Sequence, residues 1–133
     1  MHAPAPNSVR AWVGGARPRT LPAAIVPVVV GTFATRPAMI DLARMALAGI
    51  VALALQIGVN YANDFSDGIR GTDEARVGPV RLVGQKLASP GQVRFAALAC
   101  FVLAGGCGLW LAALSSWWLV IPGVAAVIAA WFY

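Results

Sequence analysis

From Phe95 to Tyr133 the chain runs through 39 residues without one charged side chain. That is about twice the ~20 apolar residues that a single bilayer crossing needs. Only 11% of the whole chain is charged and 59% is hydrophobic, against about 25% charged in ordinary globular proteins. A domain of 133 residues has too much surface for so few charges to cover in water. Lipid is the solvent that fits. Near the middle of the run stands Ser115-Ser116-Trp117-Trp118, small polar groups followed by the amphipathic rings favoured at a membrane surface. The run therefore predicts two helices, roughly 93–114 and 117–133, joined by a short interfacial turn.

Two more apolar windows lie upstream. Thr20 to Thr35 is uncharged, with Arg17 and Arg19 just before it; it is short for a span, but arginine stems snorkel and extend one. Pro18 suits a first helical turn, and Pro22 and Pro27 predict a kink that membrane helices tolerate. Met45 to Asn63 gives a further 19 residues. The expected spans are thus 18–36, 43–66, 93–114 and 117–133, preceded by a polar segment 1–15 and interrupted by a loop 67–92. The fold class is all-α, a multi-pass transmembrane helical bundle. Residues 1–10 are polar and proline-rich, so no cleavable signal peptide is expected.

The formal charge of +5 does not point to nucleic acid, because basic and aromatic residues are not interleaved. It is better read as topology. If the spans alternate, Arg10, Arg17, Arg19, Arg70, Arg76, Arg81, Lys86 and Arg94 fall on one side, and only Arg36 and Arg44 on the other. The positive-inside rule then places the N-terminus and the loop 64–94 in the cytoplasm of a cell-membrane protein. Cys100 and Cys107 share a helix face about two turns apart, too far to bridge, and read as small buried hydrophobes. His2, the one histidine, lies in the polar N-terminal segment, so a histidine-based metal site is not expected within this chain.

Four of the five acids, Asp64, Asp67, Asp73 and Glu74, fall within eleven residues directly after the second apolar window. Upstream of them, Gln56, Asn60, Asn63, Asp64 and Asp67 follow at steps of four, three, one and three, which places all five on one helix face. A polar stripe on a membrane helix is costly unless it faces a cavity or a partner. Carboxylates at i and i+3 can converge on one position, and a set of oxygen ligands favours Mg²⁺ or a similar hard cation. The asparagines could add amide oxygens or donate to a phosphate. Glue between helices is the plainer reading of the stripe, but it does not explain so many acids at a membrane boundary. Arg76, Arg81 and Lys86 follow, with Gly78-Pro79 as a turn. Acids holding a metal beside arginines describe a diphosphate site, since arginine meets phosphate oxygens with paired donors. Lys86 and Arg94 are accounted for by the positive-inside bias; for Arg76 and Arg81 both readings stay open. A phosphate-cradling G-x-x-x-x-G-K-[ST] loop is missing, and the acids do not alternate as in an EF-hand.

Asn63-Asp64-Phe65-Ser66-Asp67 resembles the first aspartate-rich motif, N-D-x-x-D, of the UbiA superfamily of intramembrane prenyltransferases. The longer string NDFSDGIRGTDEARVGPVRLV, from Asn63 to Val83, is similar to the branch that prenylates dihydroxynaphthoate, as is ARPRTLPAAIVPVVVG from Ala16 to Gly31. The resemblance covers most of residues 9–133. It implies a bundle of about nine helices around a central cavity, of which about four lie here, with 16–133 as the N-terminal part of the domain. It implies Mg²⁺-dependent transfer of a polyprenyl group from polyprenyl diphosphate to dihydroxynaphthoate, with loss of carboxylate, in menaquinone biosynthesis. Carried over, Asp64 and Asp67 bind the Mg²⁺-diphosphate as catalytic and metal residues, Asn60 and Asn63 line the site, and Arg76 and Arg81 steady the leaving group. Ionisation would then yield an allylic cation, shielded from water by dry walls. Where many members have a third aspartate this chain has Gly71; Asp73, two positions on, is grouped with the substrate-binding residues with its own role open.

Two alternatives remain. One is another branch of the same superfamily, acting on hydroxybenzoate or haem; the Gly71-Thr72-Asp73 variant weighs against it. The other is an ion-binding or transport protein, since intramembrane Asn and Asp also mark ion pathways. Transport sites tend to sit at the bilayer midplane on broken helices, whereas these acids sit at a helix end beside a basic loop. The family's second aspartate-rich motif is missing, and Trp131-Phe132-Tyr133 carries no polar tail. The expectation is of an N-terminal fragment, inactive alone.

Overall fold

The computed structural model describes residues 4–71 and 79–132. Among them every regular element is helical: α1 (Val9–Gly15), α2 (Pro22–Phe33), α3 (Leu42–Arg70), α4 (Pro90–Leu114) and α5 (Val120–Phe132), with 3₁₀ turns at Pro18–Thr20, Pro37–Met39 and Trp117–Leu119. The two long helices, α3 and α4, are each apolar and long enough to cross a membrane; at 1.5 Å per residue α3 is roughly 44 Å long.

Each long helix begins on a side-chain cap. Asp41 accepts from the amides of Ala43 and Arg44 at 3.0 and 3.1 Å, and Ser89 and Gln92 form a reciprocal capping box with Pro90 in the first turn. These satisfy the amides that a helix start leaves without intrahelical partners. The box starts α4 at Pro90, three residues earlier than the hydropathy alone predicts. At its far end α3 closes on Gly71, whose φ of 67° is the left-handed conformation a C-terminal cap requires. The helix therefore runs past residue 66 to Arg70, and Asp67 lies on it rather than in the following loop.

α3 and α4 form the main pair. Gly58 makes their closest approach: a Cβ there would stand 2.8 Å from Phe101 Cε1 and 3.1 Å from the Cβ of Cys100. Pro27 sits inside α2, which continues through it. The turns Pro18–Thr20 and Trp117–Leu119 precede α2 and α5, so the first and fourth apolar windows are each a 3₁₀ turn plus a short helix. Within 1–15, expected as a polar segment, Ser8 caps the short helix α1 by accepting from Ala11 N at 3.2 Å.

One cluster forms the apolar core: Ala11 of α1, Tyr61 and Ala62 of α3, Leu82, Leu87 and Ala88 of the following segment, and Val93, Ala97 and Phe101 of α4. Its helix-pair members are drawn from the C-terminal half of α3 and the N-terminal half of α4, and reach the middle of the pair at Phe101. α2 and α5 bury no residue fully, and large side chains such as Val102, Trp110 and Trp118 stand exposed along the rest. Exposed apolar surface on this scale belongs against lipid or further protein. The molecule is a membrane protein.

Candidate functional site

The polar stripe of α3 leads from its middle to its C-terminal end, where it meets two different surroundings. The stripe spans about 100° of helix circumference, wide enough for its edges to face separate neighbours.

One edge faces the N-terminal segment. Asn60, buried, donates to the carbonyl of Ala16 at 2.8 Å and to Thr20 Oγ1 at 3.2 Å. Gln56 donates to the same hydroxyl at 3.3 Å. Tyr61 donates to the carbonyl of Trp12 at 3.0 Å and packs edge-on against the Trp12 ring. Polar donors in an apolar setting must find acceptors, and backbone carbonyls at the end of α1 and the Thr20 hydroxyl supply them. Asp64 continues this edge. It is 1% exposed, and both carboxylate oxygens are engaged: Oδ2 accepts from Leu82 N at 2.7 Å and Oδ1 from Val83 N at 3.2 Å. Arg17 and Arg81 are its cationic neighbours.

The other edge opens into a cleft of about 310 Å³ lined by Ala62, Asn63, Phe65, Ser66, Asp67, Arg70, Trp131 and Phe132. Asp67 Oδ2 accepts from Arg81 Nη1 at 3.1 Å in a half-sheltered ion pair. The structure thus brings Asn63, Asp67 and Arg81 together and turns Asn60 and Asp64 toward the packed side. Asp73 and Arg76, also expected at the site, lie outside the described residues, as does Glu74. Ser66 and Arg70 are cleft residues that the sequence reading missed. Ser66 follows Asn63 by three inside the expected span 43–66, so the helical period alone could have found it; Arg70 follows Asp67 by three and would have been found had the helix been carried past residue 66.

The side chains on this wall offer the amide oxygen of Asn63, the hydroxyl of Ser66 and the carboxylate of Asp67, an all-oxygen set. That chemistry fits a hard cation such as Mg²⁺, which takes one or two carboxylates and completes its shell with water and substrate phosphate. No group of three His, Cys, Asp or Glu residues gathers among the described residues, so the wall supplies part of a ligand set. A larger groove of about 450 Å³, lined by side chains such as Leu55, Phe101, Gly105 and Val124 from α3, α4 and α5, is apolar throughout. Phe101 of the groove and Trp131 of the cleft pack edge to face, with ring centroids 6.2 Å apart.

Comparison with known proteins bears on this arrangement. The chain is 57% identical over 125 residues to a 1,4-dihydroxy-2-naphthoate octaprenyltransferase of Mycobacterium tuberculosis, a match covering 92% of this chain and 42% of that protein. Proteins of the same name from Escherichia coli and Bacillus subtilis are 34% and 33% identical over 96% and 88% of this chain, and 44% and 38% of their own lengths. This chain is related to the 1,4-dihydroxy-2-naphthoate octaprenyltransferases. It spans less than half the length of the curated relatives it matches. No family model matches it, and no solved structure matches it.

Proposed function

We propose that the chain contributes one wall of a prenyltransferase site, at which a polyprenyl group passes from its diphosphate to 1,4-dihydroxy-2-naphthoate. The carboxylate would leave as CO₂ and the diphosphate as the leaving group, and the immediate product would be the reduced, quinol form of demethylmenaquinone, a menaquinone precursor. The observation that carries the reading is the cleft at the end of α3, where Asn63, Ser66, Asp67 and Arg70 converge beside the Asp67–Arg81 pair, in a chain similar to proteins of that name. Arginine recognises phosphate oxygens with fixed paired donors. Asp67, with Asn63 and Ser66, would hold Mg²⁺ at the cleft. Bound there, Mg²⁺ supplies positive charge that stabilises a departing diphosphate. Arg81 and Arg70 orient that leaving group, and Arg81 exchanges part of its contact with Asp67 for the anion. The apolar groove beyond Phe101 and Trp131 takes the isoprenoid tail and keeps water from the reacting carbon. The basic bias of eight to two across the spans supports a cytoplasmic face for this end of a cell-membrane protein.

The test joins residues 1–133 to the remainder of the Mycobacterium tuberculosis relative. Membranes carrying the chimera are given polyprenyl diphosphate, 1,4-dihydroxy-2-naphthoate and Mg²⁺, and product is read by mass spectrometry. Asp67→Asn should lower turnover by at least roughly a hundredfold, as loss of a preorganised charge in a dry site does. Equal turnover by Asp67→Asn and the unaltered chimera would remove the cleft from the reaction. Accessibility labelling provides a second check. Cysteines introduced at Arg81 and at Pro37 should react from opposite sides of the membrane, and reaction of both from outside would overturn the orientation.

A further inference from the structure

We infer that Asp64 is a positioning residue: its carboxylate fixes the backbone at Leu82 and Val83 so that Arg81 is delivered to Asp67 at the cleft. The clamp stands on geometry alone; its bearing on catalysis rests on the diphosphate reading above.

Asp64 and Asp67 are three residues apart on one helix, yet their surroundings differ. Asp67 has a side-chain exposure of 35% and lines the cleft, whereas Asp64 is closed off. Asp64 is closed off within this chain, with both donors to its carboxylate coming from the segment 80–88. A carboxylate that accepts two backbone amides is a strong anchor, because each bond is charge-assisted and the alternative leaves buried N–H groups without partners.

The anchored segment is fitted to the helices on both sides of the clamp. Val80 lies against Gly14, where a Cβ would come within 2.9 Å of Val80 Cγ2. Leu82 lies against Gly15, where a Cβ would come within 2.8 Å of Leu82 Cδ1. Val83 occupies the space beside Gly68. The segment then turns on itself, with the amides of Leu87 and Ala88 both donating to the carbonyl of Leu82 at 2.7 and 3.0 Å. Arg81 stands between Val80 and Leu82, one and two residues from the amides that Asp64 holds. Its own side chain is only 18% exposed. A long, rotamer-rich side chain is held at one point most cheaply when its backbone is already fixed. Asn cannot replace Asp here, since one of its two polar atoms would face an amide N–H with another N–H.

The experiment is NMR on the ¹⁵N-labelled 133-residue chain in detergent micelles, reading amide exchange at Leu82 and Val83 together with the Arg81 guanidinium signal. Asp64→Asn should speed exchange at one or both amides by roughly tenfold or more, the consequence of losing one buried acceptor. Asp67→Asn should leave both amides as they are. The Arg81 signal should move in both variants, which a clamp without reach to the cleft would not produce. In the unaltered chain, Mg²⁺ with inorganic diphosphate should leave exchange at Leu82 and Val83 unchanged or slower. Faster exchange on adding Mg²⁺ would show the carboxylate leaving the amides for the metal and would overturn the inference. So would an Arg81 signal unmoved by Asp64→Asn. Should Asp64→Asn lose its helical circular dichroism, the Mg²⁺ titration of the unaltered chain still decides between clamp and ligand. Absence of any Mg²⁺-diphosphate effect at Asn63 and Asp67 would count against the functional reading while leaving the clamp intact.

Discussion

At the end of the helix pair where α3 closes on Gly71, side chains from α1, α3, α4 and the segment 80–88 bury one another. Polar groups there find partners across long stretches of sequence: Asn60 with Ala16, Tyr61 with Trp12, Asp64 with Leu82. At the end where α3 starts, Asp41 caps its own helix and pairs with Arg44 at 3.3 Å, both side chains about half exposed. α2, the outer face of α4 and α5 leave Val30, Val102, Trp110 and Ile121 uncovered. The contrast follows from solvent. Lipid rewards an apolar face with nothing further to bury, so helix surfaces there need no internal partner. Backbone that leaves the helix near the membrane must satisfy its own hydrogen bonds; at the far end the short turns at Pro37–Met39 and Trp117–Leu119 do so among neighbouring residues, whereas the segment 80–88 is settled against α3. The end that is structurally over-determined is also the end with a charged cleft, which gives the cleft residues fixed positions.

This comparison breaks most readily at Leu82, which is 0% exposed. Leu82→Ala should cost about 2–5 kcal/mol, the range for a buried leucine whose cavity cannot collapse. SDS-titration unfolding followed by circular dichroism would measure it. A loss under ~0.5 kcal/mol would mean the segment 80–88 is not part of the folded core. Asn60→Leu should follow, costing about 1–3 kcal/mol because the Ala16 carbonyl and Thr20 hydroxyl lose a donor in an apolar setting. Gly58→Ala should cost about 1–3 kcal/mol by overpacking, because its Cβ would stand 2.8 Å from Phe101 Cε1.

Much of this was legible in the sequence, and the part that was not has a common cause. Charge-free windows give the spans, because transfer to lipid depends on local composition. The polar stripe from Gln56 to Asp67 was visible, because helical period is a local property. The division of that stripe between a packed edge and an open edge was not, since it depends on what lies opposite. Nothing near Asp64 in sequence announces that its partners are 18 and 19 residues away. The extension of α3 to Arg70 was hidden because polar residues there ended the hydropathy signal before the helix ended. Helix α1 was missed because seven residues are too few to establish a period.

The smallest effect belongs on the lipid-facing surface. Val102 is 75% exposed on a helix whose opposite side packs against α3 through Phe101 and Ala104, both buried. Val102→Ala removes two methyl groups that touch lipid or detergent in the folded state and in the unfolded, membrane-bound state alike. The transfer contribution therefore cancels, and the small gain in helix propensity from losing a β-branched residue offsets what packing remains. Stability should change by less than ~0.5 kcal/mol, measured by the same SDS titration that reads Leu82→Ala. Both substitutions delete aliphatic carbons, so their ratio is the test. A several-fold larger loss at Leu82 is what two ends in different solvents require. Comparable losses at both positions would mean that the outer face of α4 is covered within the folded chain, and the contrast between the two ends would fail.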